Sequence, residues 1–183
     1  MILDTMQINQ MNSIFDHHTT LNKIQLYKDS GASPFIIDIL LKQLELGNNK
    51  KFGCMMEHLA KSLFNLDDSL NSEHDSVKNG FKIEQKTSTM SAPKLRMGKS
   101  QFQYNSIRMK YDYTHLMLCN INFTTIDFYL ISKKKLHQLR ELFLGQKRFR
   151  NDSIIEVLMF DVIKEHCIAI NPENIDKVLS FSD

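Results

Sequence analysis

An Asn-Gly dipeptide at positions 79 and 80 is the strongest constraint on how this chain folds. Asn-Gly between runs of alternating side chains favours a two-residue type I′ turn, because both central positions of that turn need a positive φ. A turn at this place pairs Lys78 with Phe81 and, further from the turn, Asp75 with Glu84. The sequence therefore predicts a β-hairpin with a defined register.

The predicted hairpin concentrates charge on one face. Side chains on a strand alternate between the two faces, so Glu84 and Lys86 share a face, and cross-strand pairing adds Asp75 to it. Two carboxylates roughly 5 Å apart repel one another unless a positive charge lies between them. A divalent cation would remove that repulsion, and a nearby lysine would help to organise an attacking water. This set of groups indicates metal-assisted phosphodiester hydrolysis.

Asp75 followed by Glu84-Gln85-Lys86 resembles the active-site hairpin of the PD-(D/E)xK nuclease superfamily, which includes restriction endonucleases, resolvases and repair nucleases. The first half of the motif departs from the family pattern, since His74 stands where the family often has proline. The resemblance covers roughly Gly47 to Ile131. It implies an α/β (α+β) fold with a central mixed β-sheet flanked by helices.

The resemblance also implies roles for the hairpin residues. Asp75 and Glu84 would coordinate Mg²⁺, with Mn²⁺ as a substitute, and the backbone carbonyl of Gln85 would complete the protein ligands. Lys86 would orient or deprotonate the attacking water. Glu57, on the helix before the hairpin, matches the glutamate with which many relatives bind a second metal or a metal-bound water. The alternative for Glu57 is an ordinary solvent-exposed helix glutamate.

That preceding helix is predicted from an apolar stripe at helical spacing. The stripe consists of five residues: Phe52, Met56, Leu59, Ala60 and Leu63.

The basic residues are unevenly distributed, although the net charge of the chain is only +2. From Lys86 to Lys110 the sequence has basic residues and no acid, directly after the hairpin. A local basic segment on a near-neutral chain suits a surface that grips phosphate backbone; the alternative is a set of solvated lysines. Seven polar or basic residues there carry donors suited to base edges and are candidate DNA contacts: Lys94, Arg96, Lys99, Gln101, Gln103, Asn105 and Arg108.

Other classes of protein find no support in the sequence. No run approaches the roughly 18 apolar residues that span a membrane, and no secretory signal is visible at the N-terminus. The three cysteines form no C-x-x-C pair, which favours a reducing, cytoplasmic location over a zinc knuckle or a disulfide scaffold. Neither a phosphate-binding G-x-x-x-x-G-K loop nor a G-x-S-x-G elbow occurs.

At 183 residues a single domain is expected, made of an N-terminal helical addition (1–46), a catalytic core (47–131) and a C-terminal part (132–183). Capping and breaker residues predict a helix from Pro34 to near Gly47, with Ser33 as its cap. The remaining expected elements are helices over 9–29, Gln101 to Met109, Lys133 to about Leu144 and Pro172 to Leu179, a loop from Thr89 to Ser100, and strands over His115 to Ile121, Ile126 to Ile131 and Cys167 to Ile170.

Within the superfamily, family analogy favours a sequence-specific type II restriction endonuclease that cuts double-stranded DNA as a homodimer. Such an enzyme would be accompanied by a cognate DNA methyltransferase, and no membrane partner is expected. A structure-selective nuclease, such as a Holliday junction resolvase or a DNA repair nuclease, would share the same hairpin. A non-catalytic DNA-binding module is the alternative from a different class.

Overall fold

The computed structural model describes residues 20–90, 102–139, 148–150 and 153–181. These residues form two compact units. The first takes residues 20–55 and 122–125, and the second takes the remaining described residues. The division of one domain at residues 46 and 131 remains a prediction.

The first unit is helical. Helix α1 covers 20–29 and helix α2 covers Pro34–Leu46. Helix α3 (Asn49–Phe64) begins in this first unit and ends in the second. The hydroxyl of Ser33 accepts from the N–H of Ile36, and Gly47 ends α2 with a φ of 70°, so the caps predicted for this helix are confirmed. The ring of Tyr27 meets that of Phe123 edge-on, with 4.9 Å between centroids. Residues 9–19 of the predicted first helix lie outside the described residues.

The second unit is built on a six-stranded sheet. Its strands are β1 (Asp67–Asp68), β2 (Ser76–Lys78), β3 (Phe81–Thr89), β5 (His115–Ile121), β6 (Ile126–Ser132) and β9 (Ile168–Ile170), in the order β1-β2-β3-β5-β6-β9. Strands β3 and β5 are parallel, whereas the other neighbours are antiparallel. The protein is therefore a mixed α/β protein with a mixed central sheet flanked by helices, as predicted.

The hairpin forms with the predicted register. Asn79 and Gly80 have φ of 51° and 83°, and Lys78 pairs with Phe81. Both turn residues occupy the left-handed region that a type I′ turn requires, where asparagine and glycine are the least strained residues.

A helix over Gln101 to Met109 is a wrong prediction, because Gln103–Ile107 is strand β4. It pairs with β8 (Ser153–Met159), which also pairs with β7 (Arg148–Arg150), giving a three-stranded sheet in the order β4-β8-β7. The register of β4 shifts between Tyr104 and Ile107. That irregularity breaks the two-residue alternation, so the apolar residues mimic helical spacing.

The helices at the C-terminal side are short. Ser132 caps α4 (Lys133–Gln138) as predicted, but Leu139 is the C-cap, so α4 ends before the expected Leu144. Helix α5 (Phe160–Ile163) leads into a 3₁₀ turn, and α6 (Ile175–Phe181) follows β9. The predicted last strand and terminal helix are thus confirmed with small shifts of their ends. The expected loop starts after Thr89, the last residue of β3, and residues 91–101 lie outside the described residues.

The apolar stripe on α3 is partly wrong. Phe52, Met56 and Ala60 are buried as predicted, whereas Leu59 and Leu63 are 38% and 45% exposed. Phe64 completes the buried side instead, and its ring lies 4.9 Å from that of Phe128 on β6. Exact i, i+4 spacing from Phe52 leads to Phe64, so the buried side is narrower than the predicted stripe.

The main core of the second unit joins its two sheets. Leu116 and Leu118 of β5 pack in one apolar cluster with Tyr104 and Ile107 of β4 and with Leu136 of α4. The central strand β5 is buried along its whole length. Of the described helices, none is long and apolar enough to cross a membrane.

Candidate metal and phosphate site

Asp75 is held against strand β3 by two hydrogen bonds. Its backbone N–H donates to the carbonyl of Ile83 over 3.0 Å, and its Oδ2 accepts from the backbone N–H of Gln85 over 2.6 Å. Asp75 immediately precedes β2, and its carboxylate accepts the hydrogen bond from the β3 backbone that a backbone carbonyl would otherwise accept. A carboxylate that accepts a backbone N–H bond at this length is fixed in position rather than swinging in solvent.

Glu84 and Lys86 form an ion pair on the same face of β3. The ammonium of Lys86 donates to Oε1 of Glu84, and the two side chains are 22% and 7% exposed, respectively. Residues two apart on a strand point the same way, which explains why this pair can form. Glu84 is therefore a nearly buried carboxyl whose nearest positive charge is the lysine of the motif.

The surroundings of Glu84 disfavour its negative charge. Burial raises the pKa of Glu84 above its usual value of 4.5, and the charge of Asp75 raises it further. Lys86 and Arg108 oppose the rise without cancelling it. Shifts caused by burial together with a neighbouring like charge are typical of functional sites, where a cation or a substrate later compensates them.

Glu57 belongs to the same electrostatic cluster. It is half-buried on α3, and burial raises its pKa, followed by the charge of Asp75 and, more weakly, that of Glu84. Lys86 and Lys61 lower the same pKa. Glu57 is thus half-buried rather than fully exposed, and its role as a ligand of a second metal or of a metal-bound water remains a prediction.

The residues present suit a hard divalent cation. In the part of the chain that the structure describes, no three histidine, cysteine, aspartate or glutamate side chains converge on one point. Asp75 and Glu84 are two carboxylates within electrostatic reach of each other, and Mg²⁺ is commonly held by one or two carboxylates with waters and substrate phosphates. Mn²⁺ accepts the same oxygen ligands.

The backbone carbonyl of Gln85 faces the correct side to join this set. The carbonyl of Ile83 points towards Asp75, whose N–H it accepts, and carbonyls two residues apart on a strand point the same way. The Gln85 side chain serves a different purpose, because its Nε2 donates to the buried hydroxyl of Ser76 over 2.9 Å. The side chain thereby ties β2 to β3.

The predicted DNA contacts are only partly described. Lys94, Arg96, Lys99 and Gln101 lie outside the described residues, and Gln103, Asn105 and Arg108 lie on or just after β4. Nε2 of Gln103 donates to Oδ1 of Asn105 over 3.0 Å, so these two amides lie side by side on one face of the strand. Asn105 and Arg108 are exposed.

Three features near the carboxylates were not anticipated from the sequence. Arg108 acts electrostatically on Glu84, and its guanidinium lies over the ring of Tyr111. Lys82, four residues before Lys86, forms an ion pair with Asp112. His74 is 5% exposed, and its Nδ1 has no hydrogen-bond partner among the described residues. For the stacking of Arg108 on Tyr111, the sequence signal is the three-residue spacing of an arginine and a tyrosine in a short connection between strands.

Chemically, the site offers two fixed carboxylates, a backbone carbonyl and an ammonium at one end of a β-hairpin. Such a set can bind a divalent cation, receive a phosphate beside it, and hold a water close to a positive charge. No model of a known protein family matches the chain, and a search of curated proteins found no significant match.

Proposed function

We propose that the protein is a Mg²⁺-dependent endonuclease of the PD-(D/E)xK type that hydrolyses phosphodiester bonds of double-stranded DNA. The observation that carries this proposal is that Asp75 accepts a hydrogen bond from the Gln85 N–H while the neighbouring Glu84 accepts one from Lys86. These are the residues that the motif names, and their contacts in the hairpin support the proposal.

The fold supports the same proposal. Parallel strands β3 and β5 lie at the centre of a mixed sheet, the hairpin strand β2 flanks β3, and helix α3 precedes the hairpin along the chain. The PD-(D/E)xK core would comprise these elements with β6. The helix expected between the hairpin and β5 is replaced by β4, so this chain would be a variant of that core.

In the proposed reaction, a water molecule loses a proton as its oxygen bonds to phosphorus, one P–O ester bond breaks, and the leaving oxygen takes up a proton. Bound Mg²⁺ would supply positive charge to the phosphate and acidify a neighbouring water. Asp75 and Glu84 hold that charge in place, and their own positions are set by the Gln85 N–H and by Lys86. Lys86 orients the attacking water, and its ammonium offsets the negative charge that develops on the phosphate.

Glu57 would act one step further out. Its half-buried carboxyl lies within electrostatic reach of Asp75 and Glu84. From that position it can accept a hydrogen bond from a water in the site, or contribute to a second cation. In either role, the negative charge of Glu57 would increase the affinity of the site for a divalent cation.

Within this activity, we propose a type II restriction endonuclease that acts as a homodimer on short palindromic sites, in the cytoplasm, beside a methyltransferase of the same specificity. The basic segment after the hairpin supports DNA as the substrate.

The test is cleavage of unmethylated plasmid and phage DNA by the purified protein with Mg²⁺, with Mn²⁺ or with EDTA. Asp75→Ala and Glu84→Ala variants remove the two carboxylates, and Asp112→Ala is the matched control because Asp112 is exposed. Discrete fragments that require metal, persist in the control and disappear in both site variants are expected.

Other outcomes are equally informative. Intact plasmid with metal-dependent cleavage of a four-way junction or a damaged duplex would replace the restriction role by a structure-selective one. Salt-sensitive DNA binding without cleavage of any substrate would contradict the nuclease proposal and indicate a non-catalytic DNA-binding module.

A further inference from the structure

Strand β4 brings Arg108 to the end of the catalytic face of β3. The backbone N–H of Gln103 donates to the hydroxyl of Ser88 over 3.0 Å. Ser88 shares its face of β3 with Lys86 and Glu84, because side chains alternate along a strand. Arg108 follows Gln103 by five residues along β4 and its end, so it comes to lie towards the Glu84 end of this face.

The connection that follows β4 is tied to β3 beside Glu84. The backbone N–H of Thr114 donates to the carbonyl of Lys82 over 2.8 Å, and Leu116 is the register partner of Glu84. Arg108 thus stands in a short segment whose other end is anchored two residues from the proposed metal ligand.

The guanidinium of Arg108 is pre-oriented by Tyr111. Nη1 donates to the phenolic oxygen over 2.6 Å, and Cζ lies 4.7 Å from the centre of the ring. Tyr111 is itself held, because its backbone carbonyl accepts from the ammonium of Lys133 over 2.5 Å. Stacking and one hydrogen bond leave most of the five N–H donors of an arginine available.

Arg108 is also available to an anion. Its side chain is exposed, and within the part of the chain that the structure describes it forms no salt bridge. An exposed, planar and immobilised guanidinium matches the geometry of a phosphate, which it can contact through two parallel N–H bonds.

We propose that Arg108, stacked on Tyr111, binds a backbone phosphate of the nucleic acid at or next to the bond being cut at Asp75 and Glu84. This inference rests on the proposed function. It changes the role expected for Arg108 from base reading to phosphate binding, and it makes Arg108 a residue that contacts substrate at the reaction centre.

The test compares Arg108→Ala with Lys164→Ala, a matched control that removes an exposed charge outside the basic segment from Lys86 to Lys110. Binding of a fluorescent 30-base-pair duplex is measured by anisotropy at several salt concentrations, with Ca²⁺ in place of Mg²⁺. For Arg108→Ala we expect weaker binding to every duplex sequence and a salt slope reduced by about 1. Cleavage under single turnover should fall about 10- to 100-fold, while the control stays within about twofold.

Two further variants keep the test decisive if Arg108→Ala folds poorly. Arg108→Lys retains the charge but not the planar fork, so the salt slope should persist while the cleavage rate falls. Tyr111→Phe retains the ring but loses the hydrogen bond, so a smaller loss of rate is expected. Near-UV circular dichroism and a thermal melt confirm that each variant is folded.

The outcomes separate this inference from the proposed function. If wild type cleaves DNA and Arg108→Ala behaves as Lys164→Ala does, the phosphate contact is wrong and the nuclease proposal stands. A loss confined to one duplex sequence would also overturn it, in favour of base reading. If wild type cleaves nothing yet Arg108→Ala still reduces the salt slope by about 1, the phosphate contact stands and the nuclease proposal fails.

Discussion

Strand β3 carries two lysine–carboxylate ion pairs four residues apart, and their surroundings are opposite. Lys82 pairs with Asp112, with side chains 39% and 56% exposed, whereas Lys86 pairs with Glu84, with side chains 22% and 7% exposed. In the first pair, the hydrogen bond from Lys82 lowers the pKa of Asp112. In the second pair, burial raises the pKa of Glu84 although a lysine is in contact with it.

The difference shows how far one lysine can compensate for the burial of a carboxylate. An exposed carboxylate keeps its hydration, so a nearby ammonium only adds a favourable interaction. A buried carboxylate loses its hydration and faces a second carboxylate, Asp75, and a single lysine does not compensate for both. The Glu84 pair is therefore short of positive charge, which suits the binding of a cation. The Asp112 pair is already satisfied.

The largest expected effect is a difference in the rate of DNA cleavage between alanine variants of the two lysines. Lys86→Ala is expected to lower the rate of DNA cleavage by about 100-fold or more, since it removes the group that we propose orients the water. Lys82→Ala should stay within about twofold because its partner is exposed. Steady-state cleavage of plasmid with saturating Mg²⁺ measures both. Equal losses for the two lysines would mean that position on β3, rather than burial beside Glu84, determines the role.

Lys86→Arg sharpens the same comparison. Arginine keeps the positive charge but does not release a proton at physiological pH. If Lys86 only orients water and offsets charge, part of the activity should remain at every pH. If Lys86 deprotonates the water, the arginine variant should be as inactive as the alanine variant. A pH–rate profile from 6 to 10 distinguishes the two mechanisms.

Glu57→Gln should have the next largest effect. Loss of a carboxylate one step outside the ligands should lower metal affinity or activity by about 10- to 100-fold. In EDTA the same variant should melt at a higher temperature than wild type, because the folded protein disfavours the charge of Glu57. Glu45→Gln is the matched control, since Glu45 is an exposed helix glutamate paired with Lys42. An activity loss without thermal stabilisation would contradict the repulsion described here.

These residues show how far the sequence alone could go. Asp75, Glu84 and Lys86 were predictable because one tight turn determines their register, and that information is local. Strand His115–Ile121 was predictable from a nearly continuous apolar run, strand Ile126–Ser132 from the mainly apolar residues up to Ile131, and helix α2 from the caps that bound it.

Strand β4 was not predictable, because its pairing with β8 joins residues about fifty positions apart and its bulge hides the alternation. The same long-range pairing brings Arg108 towards Glu84. The sequence contains the arginine but no local signal for where it lies. Burial of Glu84 is likewise a property of the packed sheets, so its raised pKa could not be read from the motif.

The pH dependence of stability should have opposite signs at the two carboxyls. Because the pKa of Glu84 is raised, the folded state keeps a proton that the unfolded state loses. The contribution of Glu84 to the free energy of unfolding therefore falls as pH rises through 4.5 and beyond. Because the pKa of Asp112 is lowered, its contribution is present above 3.8 and is lost as pH falls through the lowered value.

Urea unfolding in EDTA between pH 3 and 7 tests these signs. Relative to wild type, Glu84→Gln should gain stability as pH rises, whereas Asp112→Asn should lose it. If both variants lost stability relative to wild type as pH rises, the lysine and not burial would dominate at both positions. If both gained it, burial would dominate at both.

The smallest expected effect is that of salt on the coupling free energy of the ion pairs, and it should be seen only at the exposed pair, Lys82 and Asp112. At 1 M NaCl the Debye length falls to about 3 Å, so exposed charges are largely screened and buried ones much less. A double-mutant cycle on Lys82 and Asp112 should therefore show a small coupling at 50 mM NaCl that disappears at 1 M. The cycle on Lys86 and Glu84 should keep its coupling at both concentrations. If the Lys82 and Asp112 coupling also persisted at 1 M, exposure could not be what distinguishes the two pairs, and the shortage of positive charge at Glu84 would need another cause.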